Sequence, residues 1–343
     1  MKLHRDELTP QLQEYAKFND PAETRYQPYL MYYHRTDYRS AVINTDRAGF
    51  RISRGPNGEI ASPAGQLPAG PVRIFSGSSS VLGIGSTSDA TTIPSLLWRK
   101  HAPSAPWLNF GGRCYNSTQE LLLFTLYRHL LPEIDEIVIF SGLNDLTVGR
   151  FPEWQQGDHG AFFFCGEYFD KMEEIREANR KPAKLLGRRS ERRRTFSTPD
   201  EARRDIPRVI DAAADLTLRH LDTWRRLAGP QVRLTYVLQP MSLWVRDRHA
   251  PQERLLFDEI DRISKLGTWD ELYGDISTPE VARAFGEQVS AGCEKLGVRY
   301  FDLNPVVADA ITEKDWLYVS RPHFTDFGCD LVARLTAETL GLS

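Results

Sequence analysis

Short apolar runs recur along the chain, and each is followed by turn residues and then by apolar positions at helical spacing. The first three runs begin 35 and 30 residues apart, which is the size of a strand–helix–strand unit. The runs are Val72–Phe75, Trp107–Phe110, Ile137–Phe140, Leu234–Leu238 and Val298–Leu303. Strands that alternate with helices predict a mostly parallel sheet covered by helices on both faces.

Helical patterns fill the intervals between these runs. Ser117 and Glu120 predict a capping box, followed by an apolar stripe that reaches Leu130. Further helices are predicted from about Pro207 to Leu227, from Val281 to Leu296 and from Leu331 to Leu340. The pattern therefore predicts a three-layer α/β/α domain around a five-stranded, mostly parallel sheet, similar to flavodoxin-like folds.

Two segments depart from this rhythm. We interpret residues 1–70 as an N-terminal extension that packs on the main domain, residues 71–343. Its tyrosines favour buried aromatic packing over a substrate cleft: Tyr26, Tyr29, Tyr32, Tyr33 and Tyr38. Residues 146–205 are predicted to be an insertion in which aromatic residues pack on the core and the second half is mobile. These aromatic residues are Phe162, Phe163, Phe164, Tyr168 and Phe169.

Composition narrows the class of protein. The 343 residues are 41% apolar and 26% charged, which is ordinary globular usage. An apolar run of about 18 residues, the length needed to span a membrane, is absent. The N-terminus lacks the apolar core of a secretory signal. The four cysteines lie too far apart for a CxxC metal pair or a dense disulfide framework (Cys114, Cys165, Cys293 and Cys329). These features favour a soluble cytoplasmic enzyme.

The net charge of −3 argues against nucleic acid as the main partner, but the charge is unevenly distributed. Residues 176–204 contain eleven Lys/Arg and four Asp/Glu, an excess of +7, so the remaining residues carry −10. A solvated surface segment is the favoured interpretation of this run. The alternative is a docking patch for an acidic protein partner or a phosphate-bearing substrate.

Candidate chemistry is expected beyond the carboxyl ends of the strands, where parallel α/β sheets bind ligands. After the first strand, Gly77, Ser79 and Gly83 lie in a Ser/Gly-rich turn. A dinucleotide fingerprint would need glycine at Ser88, and the Gly-Lys-Ser/Thr of a phosphate loop is absent. A GxSxG nucleophile elbow fails at Val81. What remains is a glycine-flanked serine at the end of a strand.

The next two strand ends carry hydrogen-bond donors. Asn109-Phe110-Gly111-Gly112 follows the second run, and Ser141-Gly142-Leu143-Asn144-Asp145 follows the third. A backbone N–H freed by glycine and a side-chain amide at one sheet edge are groups that stabilise an oxyanion. His323 precedes the last predicted helix and is expected at the same edge.

In this order, the four blocks resemble those of the SGNH (GDSL-type) hydrolase family. The resemblance covers about residues 71–342 and rests on Gly77-Ser78-Ser79 with Gly83, Asn109-Phe110-Gly111, Gly142-Leu143-Asn144-Asp145, and His323-Phe324-Thr325 with Gly328. It implies that Ser79 is the nucleophile and His323 the general base. It also implies an oxyanion hole formed by the Ser79 N–H, the Gly111 N–H and the Asn144 side-chain amide.

Two positions depart from the family pattern: Ser78 replaces the usual Asp of the first block, and the second departure, in the last block, bears on the mechanism. The last block usually reads Asp-x-x-His, and Ser320 stands where the acid is expected. Three interpretations follow: a Ser–His dyad oriented by a backbone carbonyl, an acid supplied by Asp326 or Asp315, or an attenuated enzyme. We favour the dyad because the other catalytic positions are filled.

The resemblance implies cleavage of an ester or thioester through an acyl-Ser79 intermediate, without a metal or an organic cofactor. An acyltransferase would use the same intermediate, and a non-catalytic binding protein could share the fold. A small-molecule acyl substrate and a carrier-bound one both fit the sequence.

Overall fold

A five-stranded parallel sheet lies at the centre of the protein in the computed structural model, which describes residues 4–19, 27, 29–151, 155, 160–163, 172–177 and 205–342. The strands, in chain order, are β1 Ser53–Arg54, β2 Ile60–Ala61, β3 Val72–Gly77, β4 Trp107–Gly111, β5 Ile134–Ser141, β6 Arg233–Leu238, β7 Arg299–Asp302, β8 Tyr318–Ser320 and β9 His323–Phe324. The sheet has the order β4-β3-β5-β6-β7, and every pair in it is parallel. The predicted five-stranded α/β fold is confirmed.

Burial explains why these segments became strands. Every residue of β3 and β4 is buried, and so are all residues of β5 except Asp135. Strands covered on both faces read as nearly continuous apolar runs, as the sequence pattern does. Because β4 lies on one side of β3 and β5 on the other, the strand order reverses at β3. The carboxyl end of β3 is therefore the switch point where open α/β sheets bind ligands.

The helices with described bounds are labelled in chain order. They are α1 His4–Leu8, α2 Leu12–Phe18, α3 Ser79–Leu82, α4 Ile93–Leu96, α5 Ser117–Tyr127, α6 Leu143–Val148, α7 Ile206–Ala228, α8 Ser242–Val245, α9 Pro251–Ile263, α10 Trp269–Tyr273, α11 Pro279–Leu296, α12 Leu303–Ala310 and α13 Asp326–Leu340. Helices α5, α7 and α11 pack together, whereas α13 packs with α4 on the other side of the sheet. Within the described ranges, no helix is both long and apolar enough to cross a membrane.

The predicted capping box at the start of α5 is wrong. Asn116 is the N-cap residue, and its side chain accepts a hydrogen bond from the Gln119 N–H at 3.3 Å. Ser117 is instead the first helical residue, and its hydroxyl donates to Asp145 Oδ1 at 2.5 Å. Because the Asp145 carboxylate of α6 accepts the Ser117 hydroxyl, the neighbouring Asn116 takes the N-cap position of α5.

The described residues before β3 form α1, α2 and the short β1–β2 hairpin, all of which lie against the main domain. Phe50 and Phe110 of β4 have ring centroids 4.8 Å apart, and Tyr33 is buried in the same apolar core. Tyr29, by contrast, is 72% exposed. Residues 178–204 of the basic run 176–204, together with Phe164, Tyr168 and Phe169, lie outside the described residues.

Candidate active site

Ser79 occupies the first position of α3, directly beyond the carboxyl end of β3. The chain turns closely against the neighbouring strand here, because a Cβ at Gly77 would lie 2.3 Å from the Phe140 carbonyl oxygen. Only glycine tolerates this approach. The turn places Ser79 Oγ 2.7 Å from His323 Nε2, although the two residues are 244 positions apart in the chain.

His323 is positioned by a small antiparallel hairpin formed by β8 and β9. Ser320 and His323 are paired across this hairpin, with Arg321 and Pro322 forming its turn. Ser320 Oγ consequently lies 2.7 Å from His323 Nδ1. Ser80 Oγ donates to the Pro322 carbonyl at 2.9 Å and so connects the Ser79 turn to the hairpin. The result is a hydrogen-bonded chain Ser79–His323–Ser320.

Neither acid considered as a replacement for the missing carboxylate contacts His323. Asp326 accepts hydrogen bonds from the N–H and the hydroxyl of Thr87, and Asp315 accepts both from Thr312. The neutral group at Nδ1 is the Ser320 hydroxyl. The expectation of a backbone carbonyl in this position is therefore wrong.

Burial and positive charge disfavour the imidazolium form of His323. Burial and, to a smaller extent, the positive charge of Arg113 together lower the pKa of His323 to about 4. Arg113 lies in the loop after β4, whose Gly112 N–H donates to the Gly77 carbonyl at 3.0 Å. The imidazole is thus neutral near pH 7 and able to accept a proton from Ser79.

Gly111 does not offer a free donor. Its N–H donates to Asn109 Oδ1 at 2.9 Å, and Asn109 Nδ2 donates to the Val81 carbonyl at 2.8 Å. The expectation that the Gly111 N–H helps to form an oxyanion hole is therefore wrong. The glycine serves packing instead, because a Cβ at this position would lie 2.1 Å from the Leu82 nitrogen. Helix α3, which begins at Ser79, packs directly on the end of β4.

Asn144 is half-buried and lies in the first turn of α6. The N-cap position is occupied by Gly142, so the Asn144 side chain does not cap its own helix. Its Nδ2 donates to the Tyr115 carbonyl at 2.7 Å, which leaves one amide N–H for a ligand. Among the described residues, the N–H groups of Ser79 and Cys114 have no hydrogen-bond partner. Cys114 has a left-handed backbone, with φ +56°.

Behind this edge, two acids are buried close together. Ser141 Oγ donates to Glu120 Oε1 at 2.9 Å, and both Ser117 groups, N–H and O–H, donate to Asp145 Oδ1. Burial raises the pKa of Asp145 to about 6. Burial, and then the Asp145 charge, raises the pKa of Glu120 well above its usual range. Burial and mutual repulsion therefore favour the protonated forms of this pair.

No family model and no curated protein matches the sequence. Several solved structures are similar to this chain over most of its length. An extracellular lipase from Streptomyces rimosus is 12% identical, with a TM-score of 0.44, over 78% of this chain and 99% of that one. A member of the lipolytic protein G-D-S-L family from Veillonella parvula DSM 2008 is 11% identical, with a TM-score of 0.43, over 79% and 99%. A lipase/acylhydrolase from Enterococcus faecalis is 12% identical, with a TM-score of 0.42, over 79% and 95%.

This chain resembles the SGNH (GDSL-type) hydrolases. The sequence blocks carry this resemblance, and the structure places Ser79, Asn144 and His323 at one edge of the sheet. The assignment of roles below rests on the geometry of this edge.

Three functional candidates escaped the sequence analysis. The sequence indicates Ser320 only as the position where the family's carboxylate is missing. Its spacing from His323 nevertheless fits a hairpin with a two-residue turn. Arg113 and Cys114 follow the glycine block directly, but nothing in their spacing indicates that they lie beside the catalytic edge. Of the described residues, no group of three or more His, Cys, Asp or Glu is placed to hold a metal ion.

Proposed function

We propose that this protein is a serine hydrolase that cleaves an ester or thioester through an acyl-Ser79 intermediate. The single observation that carries the proposal is the hydrogen-bonded chain Ser79–His323–Ser320 at the carboxyl end of β3. A serine hydroxyl is a poor nucleophile until a neighbouring base takes its proton. The Ser79 Oγ to His323 Nε2 distance of 2.7 Å is within the reach needed for that transfer.

In the acylation step, Ser79 Oγ attacks the substrate carbonyl carbon while its proton passes to His323 Nε2. The tetrahedral intermediate collapses when the bond to the leaving alcohol or thiol breaks, and the Nε2 proton passes to that leaving group. His323 Nδ1–H donates to Ser320 Oγ throughout, which fixes the tautomer in which Nε2 is free to accept. The products are acyl-Ser79 and a free alcohol or thiol.

The negative charge of the intermediate requires preorganised donors. We assign this role to the Ser79 N–H, to the remaining Asn144 amide N–H and to the Cys114 N–H, which takes the place expected for Gly111. The support for Cys114 is its unpaired N–H among the described residues, next to the Tyr115 carbonyl that holds the Asn144 amide.

Deacylation repeats the steps with water. His323 takes a proton from the attacking water, and Ser79 receives a proton when the acid product leaves. If an alcohol or amine reaches the acyl-enzyme first, the same residues transfer the acyl group. Product analysis with and without added acceptor alcohol distinguishes hydrolysis from transfer.

The decisive experiment compares Ser79→Ala with Ser78→Ala. The neighbouring Ser78 is also buried, and its side chain makes no capping hydrogen bond, so it is a matched control. We expect Ser79→Ala to abolish turnover of p-nitrophenyl acetate and covalent labelling by a fluorophosphonate, whereas Ser78→Ala retains both. Peptide mass spectrometry should place the phosphonyl group on Ser79. Unchanged turnover in folded Ser79→Ala would end the assignment.

A further inference from the structure

Arg51 belongs to the N-terminal segment, residues 1–70, which precedes the five-stranded sheet. Its side chain is fully buried against the turn that begins at Ser79. Its Nη1 donates to the carbonyls of Leu82 at 2.9 Å and Gly83 at 3.0 Å. Nη2 donates to the Val42 carbonyl at 2.7 Å, and Nε pairs with Asp89 Oδ1 at 2.9 Å. The side chain of Arg51 is 0% exposed and that of Asp89 is 3% exposed. All three nitrogens of the guanidinium therefore have partners.

The two carbonyls that Arg51 binds, those of Leu82 and Gly83, lie at the C-terminal end of α3, the helix that begins with Ser79. The last carbonyls of a helix have no partner within the helix, and a cation placed there is stabilising. Gly83 caps α3 in the left-handed conformation, with φ +85°. A Cβ on Gly83 would lie 2.7 Å from Thr92 Cγ2, so the turn is also tightly packed.

Two more side chains of the same N-terminal segment reach this turn. Tyr15 Oη lies 2.7 Å from the Gly83 carbonyl and 2.9 Å from the Ser86 carbonyl, and it accepts a hydrogen bond from Arg51 Nη1 at 2.8 Å. Gln11 Nε2 donates to the Gly85 carbonyl at 2.7 Å. Three side chains of the N-terminal segment therefore form hydrogen bonds with backbone carbonyls between residues 82 and 86.

We propose that Arg51, supported by Tyr15, is a positioning residue that holds the Ser79 turn in register with His323. The inference rests on the proposed function, because it assigns a catalytic purpose to the N-terminal segment. Helix α3 is a single turn of four residues, so a shift at Leu82 and Gly83 moves Ser79 with it. A displacement of about 1 Å at a catalytic group can cost about 10²-fold in rate.

The test replaces Arg51 by lysine, which keeps a cation but loses the planar fork that reaches several acceptors at once. The matched control is Arg73→Lys. Arg73 is 5% exposed and pairs with Asp135 at 3.0 Å, but it lies at the opposite, amino end of β3. Each variant is measured well below its unfolding midpoint. The readouts are the rate constant for fluorophosphonate labelling of Ser79, kcat and KM for p-nitrophenyl acetate, and the unfolding midpoint.

We expect Arg51→Lys to lower the labelling rate constant and kcat by at least about tenfold, in line with a sub-ångström to 1 Å shift of Ser79, and to leave KM nearly unchanged. Arg73→Lys should lower the unfolding midpoint with labelling close to wild type. Tyr15→Phe should slow labelling in the same sense by a smaller factor, and it decides the question if Arg51→Lys does not fold.

Three results would overturn the inference: labelling of a folded Arg51→Lys at the wild-type rate, equal slowing by Arg73→Lys, or, if Arg51→Lys does not fold, wild-type labelling of Tyr15→Phe. Absence of labelling in the wild-type protein would instead refute the proposed function. The two failures are therefore distinguishable.

Discussion

Ser320 Oγ lies 2.7 Å from His323 Nδ1, on the opposite side of the imidazole ring from Ser79 Oγ. The hydroxyl can orient the ring as a carboxylate would, but it brings no negative charge. In the proposed acylation step, the imidazolium of His323 would therefore be stabilised by this hydrogen bond without a neighbouring negative charge, beside the positive charge of Arg113. In a serine protease, replacing the corresponding carboxylate by an amide costs about 10⁴ in turnover.

Restoring a carboxylate should strengthen the base. We expect Ser320→Asp to raise the pKa of His323, because a negative neighbour favours the charged imidazolium. The acid limb of the pH profile of kcat/KM should then move to higher pH, and turnover at neutral pH should rise. Measurement of kcat/KM against pH for a short p-nitrophenyl ester checks both effects.

The matched controls are Asp326→Asn and Asp315→Asn. These carboxylates bind Thr87 and Thr312, so their loss should leave the pH profile unchanged. A fall of several orders of magnitude in either folded variant would identify a third catalytic group and contradict the role assigned to Ser320.

Removal of the charge at Arg113 should also move the pH profile. Burial and Arg113 both lower the pKa of His323, and in the proposed mechanism its neutral imidazole is the base. Activity of the wild-type protein should therefore be lost only as the pH falls well below 6.5, toward about 4. Arg113→Gln should shift the loss to higher pH, and Arg113→Lys should not. The same shift in both variants would assign the effect to packing.

Asn144→Ala tests the proposed amide donor. Loss of one side-chain oxyanion donor typically lowers kcat by about 10²–10³-fold, or about 3–4 kcal/mol. The lost hydrogen bond to Tyr115 should cost about 1 kcal/mol in the free energy of unfolding. Asn116→Ala, which removes the cap of α5 in the same region, should cost similar stability with a much smaller effect on kcat. Normal kcat in a destabilised Asn144→Ala would make Asn144 structural.

The buried acid pair makes stability depend on pH in a specific direction. Both pKa values are raised in the folded state, so the folded protein holds more protons than the unfolded chain above about pH 4. Stability that is present at low pH is then lost as the pH rises through the folded pKa values. Glu120→Gln removes the repulsion with Asp145 and should stabilise the protein by about 1–3 kcal/mol more at pH 8 than at pH 5.

Urea unfolding of wild type and Glu120→Gln at the two pH values measures this difference. Glu136→Gln is a useful comparison, because Glu136 is buried near three arginines, Arg73, Arg233 and Arg299, each of which affects its pKa more than the one nearby acid, Asp135. Equal stabilisation by Glu120→Gln at both pH values would show that repulsion between Glu120 and Asp145 does not make stability depend on pH.

The sequence by itself determined the sheet and the chain order of the candidate site. Buried parallel strands are apolar on both faces, so the five runs could be predicted as strands without knowing which strands they pair with. The turns at the strand ends, marked by glycine and the polar residues after it, could be predicted equally well because they depend on local backbone geometry. The five predicted runs therefore correspond to β3 to β7.

Tertiary structure decided which hydrogen-bond partner each polar group received. Ser117 could cap α5 locally, but Asp145 from another helix captured it. The Asn109 amide donates to the Val81 carbonyl, 28 positions away, and in that orientation its Oδ1 accepts the hydrogen bond from the Gly111 N–H. Arg51 reaches carbonyls 31 and 32 positions along the chain. Several acceptors of similar strength compete for each donor, and only the folded packing determines which of them lies within 3 Å.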